Sequence, residues 1–189
     1  MKKQLFTILS VSLIFTLGSN GLAQSDNANI PGNEKNVGIA INPVLALFEW
    51  GSGEINLWNI DRNAEINIPI QYMNNPFFLD EETDSDVQYY SLGVYYRRFL
   101  NERQKGFFLQ AGWKYDYAKA SDNFTSETGS IHSILFGFGY RVIARNGLFW
   151  GCGISAGRAW GTMKDTNGET IKGTGLALDI DLFKFGFSW

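Results

Sequence analysis

The stretch FFLQAGWKYDY, residues 107–117, decides the fold. Phe107, Leu109, Ala111, Trp113, Tyr115 and Tyr117 fall on one parity, and Phe108, Gln110, Gly112, Lys114 and Asp116 on the other. A period of two sends successive side chains to opposite faces of a strand, whereas helical spacing would gather the apolar positions into a stripe. One face of this segment is apolar and aromatic; the other mixes small, polar and charged residues.

The same rhythm recurs along the chain. Ile66, Ile68, Ile70 and Tyr72 alternate with Glu65, Asn67, Pro69 and Gln71. Tyr90, Leu92, Val94 and Tyr96 alternate with Ser91, Gly93, Tyr95 and Arg97. Further strands are predicted around Ile134, Phe136 and Phe138, around Leu148, Trp150 and Cys152, and around Leu176, Leu178 and Ile180. Two more precede Ile60, marked by Val37, Ile39 and Ile41 and by Ile55 and Leu57, with their joint between Pro43 and Gly53. Eight strands result. The second, fourth and sixth connections, at 61–63, 101–106 and 144–147, carry tight-turn residues. The third, fifth and seventh, at 74–86, 118–130 and 161–173, read as long loops, and only the first breaks this short–long rhythm.

Lys2 and Lys3, an apolar run and the small residues Gly21 and Ala23 have the layout of a secretory signal peptide over residues 1–23. Residues 24–36 read as a polar, flexible leader and residues 37–189 as one domain. Without Lys2 and Lys3 the formal charge moves from −3 to −5, and no basic stripe suggests nucleic acid. Cys152 is the lone cysteine and His132 the lone histidine, so an internal disulfide and a zinc-type cluster are excluded and no metal or cofactor is expected. Beyond the signal, no apolar run is long enough for a membrane helix. Entry into a bilayer would therefore require a closed barrel, because lipid cannot satisfy an open sheet edge.

Period two does not by itself say which face meets lipid, and a soluble lipocalin-like ligand-binding barrel has the same rhythm. A water-exposed face would carry Lys, Glu and Thr along its length. Here the less apolar face carries Gly93, Gly112, Gly137, Gly139, Gly151 and Gly153, which fit the crowded inside of a narrow barrel. Its charges, Glu65, Arg97, Lys114, Asp116, Arg141, Asp179 and Asp181, are of both signs, as a paired lumen network requires. Tyr72, Tyr96, Tyr115, Tyr117, Tyr140 and Trp160 gather on the apolar face toward strand ends, where interfacial girdles lie. The fold predicted is all-β: an eight-stranded antiparallel up-and-down transmembrane β-barrel in a bacterial outer membrane, facing outer-membrane lipids and lipopolysaccharide.

Phe183, Phe185, Phe187 and Trp189 alternate with Lys184, Gly186 and Ser188. This resembles the terminal strand of outer-membrane barrels, and the resemblance implies an assembly signal read by the barrel-assembly machinery. The whole domain is similar to the small eight-stranded barrels such as the OmpA membrane domain and OmpX, and to Bacteroidetes barrel families. That implies a monomeric barrel and a compartment, not an activity. The terminal aromatics also clash in parity with Leu176, Leu178 and Ile180. One uninterrupted strand cannot turn both sets outward, so a β-bulge is predicted between Asp181 and Lys184.

Few residues offer chemistry. His132-Ser133 loosely resembles the His and Ser of outer-membrane lipid A deacylases, but adjacent residues point to opposite faces of a strand, which spoils nucleophile–base geometry. His132 reads instead as a girdle residue. Asp84-Ser85 resembles the Asp-Ser pair of outer-membrane palmitoyltransferases without that family's histidine in the first loop. The acidic run containing Asp80, Glu81, Glu82, Asp84 and Asp86 reads as a solvated loop, or as a weak divalent-cation site bridging to lipopolysaccharide. Asp165, Asn167, Gly168 and Glu169 read as a hairpin turn and Arg158 as a snorkelling cation within reach of lipid phosphate. The functional expectation is a side-chain-filled, non-enzymatic barrel serving envelope integrity, adhesion or surface binding through its loops and outer wall. The competing expectations are a lipid A-modifying acyl hydrolase or acyltransferase and a conduit for small apolar molecules.

Overall fold

The computed structural model describes residues 36–46, 50–58, 63–75, 86–100, 104–122, 125–144 and 146–189. Residues 1–35, hence the expected signal peptide and nearly all of the leader, lie outside them, as do residues 80–85.

Eight strands follow one another: β1 (Val37–Ile41), β2 (Trp50–Trp58), β3 (Ala64–Asn74), β4 (Asp86–Phe99), β5 (Gly106–Ser121), β6 (Ser126–Ile143), β7 (Leu148–Lys164) and β8 (Thr170–Ser188). Each pairs antiparallel with its neighbours in sequence, and β1 pairs with β8, so the all-β sheet closes into a barrel. The Trp189 amide donates to the Val37 carbonyl at 3.0 Å.

The barrel is strongly staggered. Ile41 pairs with Phe185 across the β1–β8 seam. Followed the other way, through Gly53, Ile70, Leu92, Tyr115, His132 and Trp160, the ladder returns to β8 at Thr174. Positions 185 and 174 are eleven apart; the bulge described below supplies one of those residues, leaving a stagger of ten. A stagger of this kind tilts the strands by roughly 35–45° and brings side chains from non-neighbouring strands to one level inside. Interior backbones also approach closely. A Cβ added at Gly157 would lie 1.8 Å from the Ile134 carbonyl oxygen, and one at Gly137 would lie 2.1 Å from that of Ile154.

The faces sort as the alternation predicts. Phe107 and Leu109 are 54% and 53% exposed, while Phe108 and Gln110 between and beside them are 3% and 6% exposed. Ile39, Ile70, Leu92, Val94, Trp113, Phe136, Phe138 and Leu176 join the exposed apolar wall. The buried set includes Glu54, Glu65, Arg97, Lys114, Arg141 and Lys184. The sheet is thus inverted relative to a water-soluble barrel, with its hydrocarbon outside and its charge inside.

The predicted bulge is present. Gly153 pairs with Asp181 and Gly151 with Lys184, so β8 spends three residue steps where β7 spends two. Phe183 takes up the change with φ at +56°. The inserted residue swaps the faces: Leu176 below the bulge in sequence and Phe183, Phe185, Phe187 and Trp189 beyond it are all exposed, while Asp181 and Lys184 are buried.

Two expected loops are corrected. Residues 118–130 and 161–173 are largely ladder: Ala118 pairs with Gly129 and Ser121 with Ser126, and Gly161 pairs with Gly173 and Lys164 with Thr170. Apolar alternation stops in these stretches, but backbone pairing continues, because ladder hydrogen bonds do not depend on an apolar face. The turn after β7 has the hairpin form expected. Asp165 accepts from the Asn167 and Glu169 amides at 3.0 and 2.8 Å, and Gly168 has φ at +80°. The short first connection contains one helical turn, α1 (Pro43–Ala46), which touches both β2 and β8 where β1 has already ended.

Candidate functional site

Two ionic clusters fill the interior. In the first, the tilt carries Glu65 on β3 to Arg141 on β6. One guanidinium nitrogen of Arg141 donates to Glu65 at 2.9 Å and the other donates to its second oxygen. Arg97 on β4 donates to the same carboxylate at 3.2 Å. Glu54 on β2 accepts from Lys184 at 2.6 Å and from Arg97 at 3.5 Å, and Lys184 also pairs with Asp181 at 2.8 Å. Three cations face three carboxylates, so the cluster is neutral as a unit. Neutral partners extend the network: Arg97 Nε donates to Gln110 at 2.7 Å, Gln110 donates to Ser155 at 2.6 Å, and Asn56 and Asn67 chain onto Glu54.

Aromatic rings flank this plug. The Arg141 guanidinium lies 4.7 Å from the Phe149 ring centroid and 5.3 Å from that of Phe99, and Arg97 lies 5.0 Å from Phe108. Desolvated guanidinium–ring contacts of this kind are attractive in themselves and exclude water from the ion pairs. The space left among Glu54, Arg97, Arg141, Asp181 and Lys184 is about 10 Å³, at the lower limit for a single water. At this level the barrel is sealed.

The second cluster lies farther along β5. Lys114 pairs with Asp179 at 3.3 Å and with Asp116 at 3.6 Å. Each carboxylate has a tyrosine donor as well: Tyr95 to Asp179 at 2.7 Å and Tyr89 to Asp116 at 2.6 Å.

All seven charges assigned to the lumen from sequence lie inside, divided between these clusters: Glu65, Arg97, Arg141 and Asp181 in one, Lys114, Asp116 and Asp179 in the other. Sequence reasoning missed Glu54 and Lys184. Both were visible in parity, since Glu54 alternates with Ile55 and Lys184 with Phe183 and Phe185. Of the acidic run, Asp80, Glu81, Glu82 and Asp84 lie outside the described residues, and Asp86 opens β4 as an exposed residue. Among the described residues no group of His, Cys, Asp and Glu has the arrangement to hold a metal ion.

His132 and Ser133 point to opposite faces. Ser133 is buried inside, while His132 joins an outer aromatic cluster, with ring centroids 5.0 Å from Tyr115, 5.8 Å from Trp113 and 6.2 Å from Trp160. With the strand itself between them, His132 cannot act as a base on the Ser133 hydroxyl. His132→Ala is accordingly expected to leave the acylation pattern of lipid A unchanged in a Gram-negative host expressing the protein. A shift in the lipid A mass spectrum on this single change would assign His132 a chemical role.

The geometry defines a class: a closed antiparallel β-barrel with an apolar outer wall and a sealed, ion-paired interior. No protein-family model, curated protein or solved structure matches the chain.

Proposed function

We propose that this protein is an integral outer-membrane β-barrel, OmpA- or OmpX-like in build, that conducts nothing and acts through its outer wall and projecting hairpins. Its role on this reading is in envelope integrity, adhesion or surface binding. The observation that carries the proposal is the inversion of the sheet. Ile70, Leu92, Val94, Leu109, Phe136 and Phe138 are exposed on the outside, while every residue of the neutral ionic plug is buried. In water such a wall would be one continuous adhesive surface; in a bilayer it is the favourable one, and closure leaves no main-chain edge to lipid along the paired strands. Tyr72, Tyr90, Tyr96 and Trp160 add amphipathic rings of the kind that sit at headgroups. The plug supports a role other than passage, and its charges oppose an apolar conduit.

The test is cell fractionation followed by gel migration with and without boiling. The protein is expected in the outer membrane, running as a compact form until heated, because a closed barrel resists detergent. Recovery from the soluble periplasm, with one migration position at all temperatures, would overturn the reading in favour of a water-soluble barrel.

A further inference from the structure

Beyond the apolar belt, the outer wall of β5–β8 separates charge by sign. Lys119 and Lys164 lie in one cross-strand row, joined through Thr128. Lys172 lies one row nearer the belt, beside Thr162, and Arg158 two rows nearer still, beside Leu176. These four rows comprise the odd-numbered positions of 113–119 and the even-numbered positions of 128–134, 158–164 and 170–176, and no Asp or Glu occupies any of them. The chain as a whole carries more acids than bases, 19 against 16. The excess of cations is therefore a property of this wall and not of the composition. Neither Arg158 nor Lys172 has an ion-pair partner among the described residues.

Between these two cations the wall is hollowed. Ser130, His132, Trp160, Thr162, Lys172 and Thr174 line an open groove of about 420 Å³. The Ser130 and Thr162 hydroxyls lie 3.2 Å apart on its wall, and the His132 and Trp160 rings stack nearly parallel, at 20°. The wall therefore grades from hydrocarbon at Leu176 and Ile134, in the row beside the groove, through the flat aromatic shelf of the groove itself, to its hydroxyls and the Lys172 ammonium. That order matches a membrane lipid met from its acyl chains outward to its phosphate.

Resting on the membrane-spanning reading above, we infer that this groove binds the phosphorylated headgroup of a lipid in the adjoining leaflet. Lys172 pairs with the phosphate, and the Ser130 and Thr162 hydroxyls donate to its oxygens. Trp160 and His132 pack against the carbon face of the headgroup. Arg158, on the hydrocarbon side, carries its guanidinium up to the same phosphate layer along an apolar stem.

The probe is phosphatidic acid mixed into phosphatidylcholine vesicles holding the full-length folded chain, with co-retained lipids counted by native mass spectrometry after detergent release. The wild type is expected to retain phosphatidic acid in preference to phosphatidylcholine. Arg158→Gln and Lys172→Gln are each expected to weaken that retention about tenfold, the size of one lost charge-assisted contact. Lys172→Glu alone is expected to abolish the preference, and Arg98→Gln, which removes an outward cation elsewhere on the wall, to leave it intact. Equal retention of both lipids by the wild type, or an equal loss with Arg98→Gln, overturns the site. Displacement of the lipid by inorganic phosphate overturns the lipid assignment in favour of a free-anion site. Heat-modifiable migration is read on the same samples: an inserted barrel without lipid preference refutes this inference alone, whereas a chain that never inserts takes the membrane reading down with it.

Discussion

Arg141→Ala is expected to lower stability by about 3 kcal/mol, among the larger effects a single substitution can have here. Arg141 is 2% exposed and its main partner Glu65 is fully buried. Removing the guanidinium leaves the plug with two cations, Arg97 and Lys184, against the carboxylates of Glu54, Glu65 and Asp181. It also strips the Phe149 and Phe99 rings of their packed partner. The two contributions are separable. Adding Glu65→Gln to Arg141→Ala restores an equal count of charges without refilling the space. If electrostatics dominates, the double variant is less destabilised than Arg141→Ala alone; if packing dominates, it is at least as unstable. Denaturant unfolding in lipid vesicles, followed by tryptophan fluorescence, reads both. A midpoint for Arg141→Ala equal to that of the wild type would remove Arg141 from the plug.

This network also marks how far the sequence could be read. Parity alone separated Arg97 and Arg141 from the apolar wall, because a strand holds its side chains to strict alternation. Parity does not say which interior residues meet. That Glu65 reaches Arg141 depends on the stagger of ten residues, a property of how eight registers add around the ring. Glu54 escaped for a related reason: β2 is short and begins just after a turn, so its alternation had only Ile55 and Leu57 to anchor it. The projecting parts of β5–β8 were misread as loops because the apolar signal ends where hydrocarbon would end, while the ladder from Ala118 to Ser121 and from Gly161 to Lys164 does not. The outward cations Lys119, Lys164 and Lys172 were invisible for the same reason, since a row across strands exists only once those stretches are known to pair.

Deleting Phe183 is expected to prevent assembly of the barrel altogether. The bulge gives β8 one residue more than β7 between the pairs Gly153–Asp181 and Gly151–Lys184. Without that residue the ladder becomes regular, and a regular ladder holds one parity throughout. Two outcomes are then open to the chain. If the pairing of residues 184–189 is kept, Asp179 and Asp181 turn outward into the apolar belt, and Lys114 and Lys184 lose buried partners at 3.3 and 2.8 Å. If the pairing of residues 170–181 is kept, Phe185, Phe187 and Trp189 turn inward, into an interior where a Cβ at Gly186 would already lie 2.2 Å from Phe149. Either costs several kcal/mol, comparable to the whole stability of a small domain. Phe183→Gly separates the inserted residue from its side chain. It keeps the extra position and suits φ of +56°, a conformation that a bulky residue adopts only at a cost. This variant is expected to assemble and to show heat-modifiable migration, while the deletion yields only the unfolded band. Assembly of the deletion variant at the wild-type level would mean that β8 does not need its change of face.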